Sequence, residues 1–183
     1  MSENTILINR APVLTLWAAV VAEALGFERD TAFTLGKGLA GLNAQSKGRF
    51  LGIYGPPKSP EGEPAPKKTG LGEEFWIEIC DRRIPVKNTK DGVRALIKDE
   101  PIDPVSVEKY LRCKFGKHYE TVRMVVEDLA GSFPREELAY KAYALYERFR
   151  PGIPSGQRGW GAKGQLKLDL IHALERKWQR GQT

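Results

Sequence analysis

Residues 11–43, APVLTLWAAVVAEALGFERDTAFTLGKGLAGLN, decide how this chain is organised. Pro12 suits the first turn of a helix, where a backbone N–H would have no partner in any case. Leu14, Trp17, Ala18, Val21 and Leu25 then fall at i, i+3, i+4, i+7 and i+11, the spacing of one helical face. Val13, Leu16 and Val20 place apolar groups on the other sides, so a helix over 11–25 is expected to be buried nearly all round. This apolar run of 15 residues includes Thr15 and Glu23. Crossing a bilayer takes about 20 apolar residues, so the run reads as a core helix and no membrane partner is expected. Gly26 is placed to end it in a left-handed cap.

Asp30 is the expected cap of a second helix over 31–43, with Leu35, Leu39 and Leu42 on one face. Gly36, Gly38 and Gly41 each weaken that helix by about 1 kcal/mol relative to alanine. Close approach of another helix would offset the loss, and Gly36, Ala40 and Ala44 line up at i, i+4 and i+8 for it. The same glycines spell G-x-G-x-x-G. A dinucleotide site, however, needs a strand before the first glycine, and here a helix stands there.

Outward from this hairpin, residues 56–72 (PPKSPEGEPAPKKTGLG) hold five prolines and three glycines. Neither helix nor central strand tolerates that density, so a loop or linker is expected. It divides the chain into 1–55, 56–72 and 73–183. Residues 74–80 and 83–88 alternate as two strands of a hairpin, with Pro85 confining the second to an edge or ending its pairing early. Residues 89–98 could form a short helix or a third strand of this sheet, and helix is the favoured reading. Helices follow over 103–115, from about 119, and around Leu138, Ala142, Leu145 and Phe149. Asp169 is the expected cap of a last helix with Ile171, Leu174 and Trp178 inward. The fold class is therefore α+β and predominantly helical: an N-terminal helical hairpin, one small β-hairpin and a C-terminal helical cluster.

Apolar residues at 41% and charged residues at 28% suffice for a core under a solvated surface, which excludes a wholly disordered chain. No basic stretch precedes an apolar run at the start, so no secretory signal is read, and a cytoplasmic location is expected. Cys80 and Cys113 are far apart and in no C-x-x-C pair. They read as small buried hydrophobes in a reducing compartment, not as a disulfide or metal framework.

Charge is unevenly distributed. Residues 148–183 carry eight basic side chains against Asp169 and Glu175, while the other 147 residues carry 21 of each sign. A localised basic surface steers anionic partners. The stretch 150–167, RPGIPSGQRGWGAKGQLK, adds Trp160 among five glycines. A basic loop with an aromatic can neutralise phosphates and stack on an unpaired base. Equally, Trp160 could fold back to plug the core.

A local pattern at 105–131, VSVEKYLRCKFGKHYETVRMVVEDLAG, places two amphipathic helices around Phe115-Gly116. It resembles the helix-turn-helix of winged-helix bacterial repressors, in which a glycine turn precedes a recognition helix bearing a Thr-Val-Arg-like run, here Thr121-Val122-Arg123. The resemblance covers 27 residues and lacks the β-wing, since Ser132 leads into another helix. It implies that Lys117 and Arg123 face a major groove or phosphates.

Enzyme chemistry finds little support. His118 and His172 have no partner placed by spacing, and adjacent acidic pairs such as Glu127-Asp128 diverge on a helix. No catalytic residue, metal site or cofactor is assigned. The leading expectation is a non-enzymatic nucleic-acid-binding or accessory regulatory protein. DNA or RNA phosphates would be contacted by Arg150, Arg158, Lys163, Lys167 and Arg180, with Trp160 stacking and Arg123 and Lys117 in second rank. Two alternatives stand beside it: a homodimeric interaction module built on the Gly36/Ala40/Ala44 face, and an enzyme for an anionic small molecule with the glycine-rich loop as its clamp.

Overall fold

The computed structural model describes residues 5–50, 72–80, 82–97, 99–152 and 163–175, with backbone alone for 43–50. Its centre is helix α1 (Arg10–Ala24), of whose 15 residues 11 are buried, as its all-round apolar pattern requires. Trp17 is fully buried. Its ring stands edge-on to Phe149 at 5.3 Å, and its Nε1 donates to the Ala142 carbonyl at 2.9 Å. Gly26 ends the turn beyond the helix at φ +109°, the left-handed conformation its position called for.

Helix α2 (Arg29–Phe50) packs antiparallel to α1 in the short-loop manner. It starts earlier than expected, so Asp30 lies in its first turn and not at the cap. Its glycines split between two neighbours. A Cβ at Gly36 would collide with the Thr15 carbonyl of α1, whereas one at Gly38 would press on Ile84 and Ala95 of the sheet at 3.0 and 3.3 Å. Gly36, the first member of the small-residue face, therefore lies against α1 of the same chain, while the side chain of Ala44 lies outside the described residues.

The hairpin β2 (Glu74–Ile79) and β3 (Arg82–Thr89) is extended by β4 (Gly92–Ile97) and the short β5 (Glu100–Pro101) into an antiparallel sheet of order β2-β3-β4-β5. The favoured helix over 89–98 is thus not formed, and the alternative, a third strand, is. Gly92 at φ +119° and the Thr89 hydroxyl, donating to the Gly92 carbonyl at 2.6 Å, turn the chain back on β3. Strand β4 then covers the hairpin that would be marginal alone. Pairing of β3 with β4 runs from Thr89↔Gly92 to Val86↔Ala95 and stops at Pro85. Alternation along β3 aims the Pro85 nitrogen at β4, where it has no hydrogen to donate. The outer edge of β4 is capped by α2: the Thr31 hydroxyl donates to the Val93 carbonyl at 2.8 Å, and the Ala95 amide donates to the Thr34 hydroxyl at 3.0 Å.

Helix α3 (Pro104–Phe115) begins at Asp103, whose carboxylate accepts from the Val105 amide, and ends at Gly116 with φ +57°. A 3₁₀ turn (Gly116–His118) leads into α4 (Tyr119–Gly131), followed by α5 (Arg135–Phe149). Val122, Val125, Val126 and Leu129 of α4 are buried, as are Leu138, Ala142, Leu145 and Phe149 of α5. Finally, β6 (Gly164–Lys167) pairs antiparallel with β1 (Thr5–Ile8) and runs straight into α6 (Leu168–Leu174). Lys167 occupies the cap position of α6, and Asp169 lies in its first turn. Trp178 lies outside the described residues.

One buried cluster runs from Ile6 through Trp17, Leu35, Ile84 and Leu111 to Ile171. The helical hairpin and the region after residue 72 therefore share a core. The fold is α+β and dominated by helices, as expected, with two small antiparallel sheets where one hairpin was expected.

Candidate functional site

The β1–β6 ribbon has one face in the core, with Ile6, Ile8, Gly164 and Leu166 buried. Side chains alternate across a strand, so Leu7, 66% exposed, shares the outer face with Gln165 and Lys167. Lys163, also exposed, stands just beyond the Gly164↔Ile8 pair. The two lysines thus mark opposite ends of the ribbon, about 13 Å apart along the strand.

At the Lys163 end the chain enters α1 at Arg10. The Arg10 Nε donates to the Pro151 carbonyl at 2.7 Å, across 141 residues of sequence. Arg150, closing α5, holds its guanidinium 5.8 Å from the centre of the Tyr146 ring. The Tyr146 hydroxyl in turn lies 3.5 Å from the Arg10 carbonyl. A Cβ on Gly164 would overlap the Gly152 backbone, so the chain on the two sides of residues 153–162 is in contact here. Arg10, Arg150 and Lys163 therefore gather where Gly152 and Gly164 meet.

The electrostatics of this end are one-sided. Burial, and then the neighbouring Arg150, lower the pKa of Arg10. No carboxylate among the described residues makes an ion pair with either guanidinium. The first turn of α1 carries no acidic residue, so the positive end of its dipole adds to the same field. Burial pushes the Tyr146 phenol upward, which keeps it neutral. Two guanidiniums with no carboxylate partner among the described residues suit an oxyanion, which each can hold by paired N–H donors.

Of the residues singled out from sequence, Arg150, Lys163 and Lys167 are brought to this ribbon. Arg158, Trp160 and Arg180 lie outside the described residues. Lys117 is exposed but sits in the 3₁₀ turn between α3 and α4. Arg123 does not face solvent: it is 5% exposed, and it is bound to Glu23 at 2.6 Å and Glu127 at 2.9 Å. Burial works against its charge, but the hydrogen bond and attraction of Glu23, aided by Tyr119 and Glu127, raise its pKa overall. The exposed residues of α4 include Glu120, Thr121, Met124, Glu127 and Asp128, a face that repels phosphates. The likeness to a helix-turn-helix ends at the connectivity. Arg10 was not singled out, because its partner Arg150 is 140 residues away and no periodicity links them.

Among the described residues no three His, Cys, Asp or Glu side chains converge as a metal site. His172 pairs with Glu175 at 2.9 Å on the surface of α6. Cys80 is buried as expected, whereas Cys113 is exposed on α3; neither forms a disulfide. An open cleft of about 370 Å³ lies beside Glu78, Cys80, Glu136 and Tyr140, away from the basic ribbon. No helix among the described residues is long and apolar enough to cross a membrane. No family model, characterised protein or solved structure matches the chain.

Proposed function

We propose that this chain is a non-enzymatic nucleic-acid-binding protein that holds backbone phosphates at the Arg10–Arg150 end of the β1–β6 ribbon, with Lys163 and Lys167 extending the contact. The supporting observation is the pair of partly buried guanidiniums with no carboxylate partner among the described residues. A folded protein normally neutralises such a pair internally. A phosphodiester supplies the missing charge, and the exposed lysines of the ribbon continue the field along the strand. Arg158 and Trp160, in sequence between Gly152 and Lys163, add one further cation and a stacking surface in this reading.

The test is a salt series of binding to labelled duplex and single-stranded DNA. Log affinity should fall linearly with log salt, by about 0.9 per phosphate contact on duplex and about 0.7 on single strands. Arg10→Gln with Arg150→Gln should shallow that slope by about two contacts, and Lys163→Gln with Lys167→Gln should shallow it further. Unchanged affinity and slope in all four substitutions together would remove the reading.

A further inference from the structure

A second set of cations lies apart from the ribbon, where α2 crosses α3. The Lys37 Nζ of α2 sits 4.1 Å from the centre of the Tyr110 ring, and the Lys114 Nζ of α3 lies 6.0 Å from the same ring. Lys109 is exposed on α3, and Lys117 is exposed in the 3₁₀ turn that follows it. None of these four ammonium groups makes an ion pair among the described residues. The nearest carboxylates in sequence, Glu108 and Glu120, are both engaged by Arg112, each at 3.1 Å. Lys37 is partly buried, and that burial, followed by the nearby Lys114, lowers its pKa. Burial likewise raises that of Tyr110. Two ammonium groups converge on one ring, and the local carboxylates are committed elsewhere.

We propose that Lys37 and Lys114, meeting over Tyr110, form an anion site for a compact multiply charged phosphate, a di- or triphosphate group. Ammonium groups act as compact point charges that attract concentrated negative charge without demanding the flat geometry of a guanidinium fork. A carboxylate would answer only one of the two. A diphosphate brings several charges within the reach of flexible lysine stems. The site uses no residue of the ribbon and does not depend on nucleic-acid binding there.

The experiment is acetylation of the full chain by a water-soluble acylating reagent, with and without pyrophosphate at constant ionic strength, read lysine by lysine by mass spectrometry. With pyrophosphate at ten times its Kd, reaction at Lys37 and Lys114 should slow about tenfold. Lys90, exposed in the β3–β4 turn, reports any general effect of the anion. Protection at Lys114 should vanish in Lys37→Gln, a change at a helix position whose folding is checked by circular dichroism. It should persist in the Arg10→Gln, Arg150→Gln chain, which separates this site from the ribbon. Equal slowing at Lys90, no slowing at all, or loss of protection in the arginine variant would each overturn the assignment. Protection by an oligonucleotide but not by pyrophosphate would also overturn it, and would make α3 part of a nucleic-acid surface.

Discussion

Gly36 and Gly41 lie on one helix, yet a methyl group added to each meets opposite surroundings. At Gly36 the obstacle is the Thr15 backbone carbonyl, which cannot rotate away, so α1 and α2 would have to part. Overpacking of that kind costs about 1–3 kcal/mol and outweighs the gain of about 1 kcal/mol in helix propensity. At Gly41 the nearest atom is the end of Ile97 at 3.9 Å, ordinary contact. Urea unfolding should therefore find Gly36→Ala destabilised and Gly41→Ala stabilised by up to about 1 kcal/mol; two shifts of the same sign would refute the packing account. The Arg123 network makes a second ordering. Glu23 is the less exposed partner and joins α1 to α4, while Glu127 is nearly half exposed on Arg123's own helix. Glu23→Gln should cost about 1–3 kcal/mol and Glu127→Gln under about 0.5 kcal/mol, and the reverse order would assign the wrong partner to Arg123. Tyr146 carries a pH signature. Its folded pKa is raised by burial, whereas an unfolded tyrosine ionises near pH 10. Stability is therefore unaffected below that value and falls as pH rises through about 10 and beyond, because only the unfolded chain releases the proton. In Tyr146→Phe the fall in Tm between about pH 9 and 11 should be shallower than in the parent.

At the scale of elements, the sheet depends on helix α2 for its edge as well as its cover. An unpaired edge amide in the interior would be costly. Thr34, fully buried, accepts from Ala95 and donates to the Thr31 carbonyl at 2.8 Å. Thr34→Val keeps the shape and leaves the Ala95 amide without its partner, a loss of about 1–3 kcal/mol. Hydrogen exchange should show the Ala95 amide opening more readily in that variant, and an unchanged rate would mean that another acceptor takes over. The β1–β6 ribbon shows the opposite dependence. Its four pairs are too few to stand alone, and Ile6, Ile8 and Leu166 hold it to the core. That anchorage puts Lys163 beside Arg10.

At the scale of the whole molecule, the buried cluster reaches from Ile6 to Ile171 and crosses the proline-rich stretch. A shared core predicts one cooperative transition. Tryptophan fluorescence and far-ultraviolet circular dichroism should superimpose through urea unfolding, and two separated transitions would show that the N-terminal hairpin folds by itself. The cationic groups follow the same logic of assembly. Arg10 and Arg150 come from opposite ends of the sequence, and their common field exists only once α1, α5 and the ribbon have packed.

The helices were legible from local pattern. Apolar spacing marked α1, α4 and α5, Asp103 and Gly116 marked the ends of α3, and Pro85 marked where β3 and β4 part, because each rests on geometry within a few residues. The expected close approach at Gly36 likewise follows from the cost of glycine in a helix. Strand β4 was legible only as the less favoured of two readings, since ten residues with a short apolar run fit helix or strand until a partner strand is present. Strands β1 and β6 were not legible, each four residues whose only reason to pair is the other, some 160 residues away. The basic composition of the last fifth of the chain was determined by sequence alone. Which of the described cations have a carboxylate partner among the described residues was decided by tertiary packing, which sank Arg123 between two carboxylates, brought Arg10 to Arg150, and set Lys37 over Tyr110. Charge is a property of residues, but an unmet charge is a property of their neighbours.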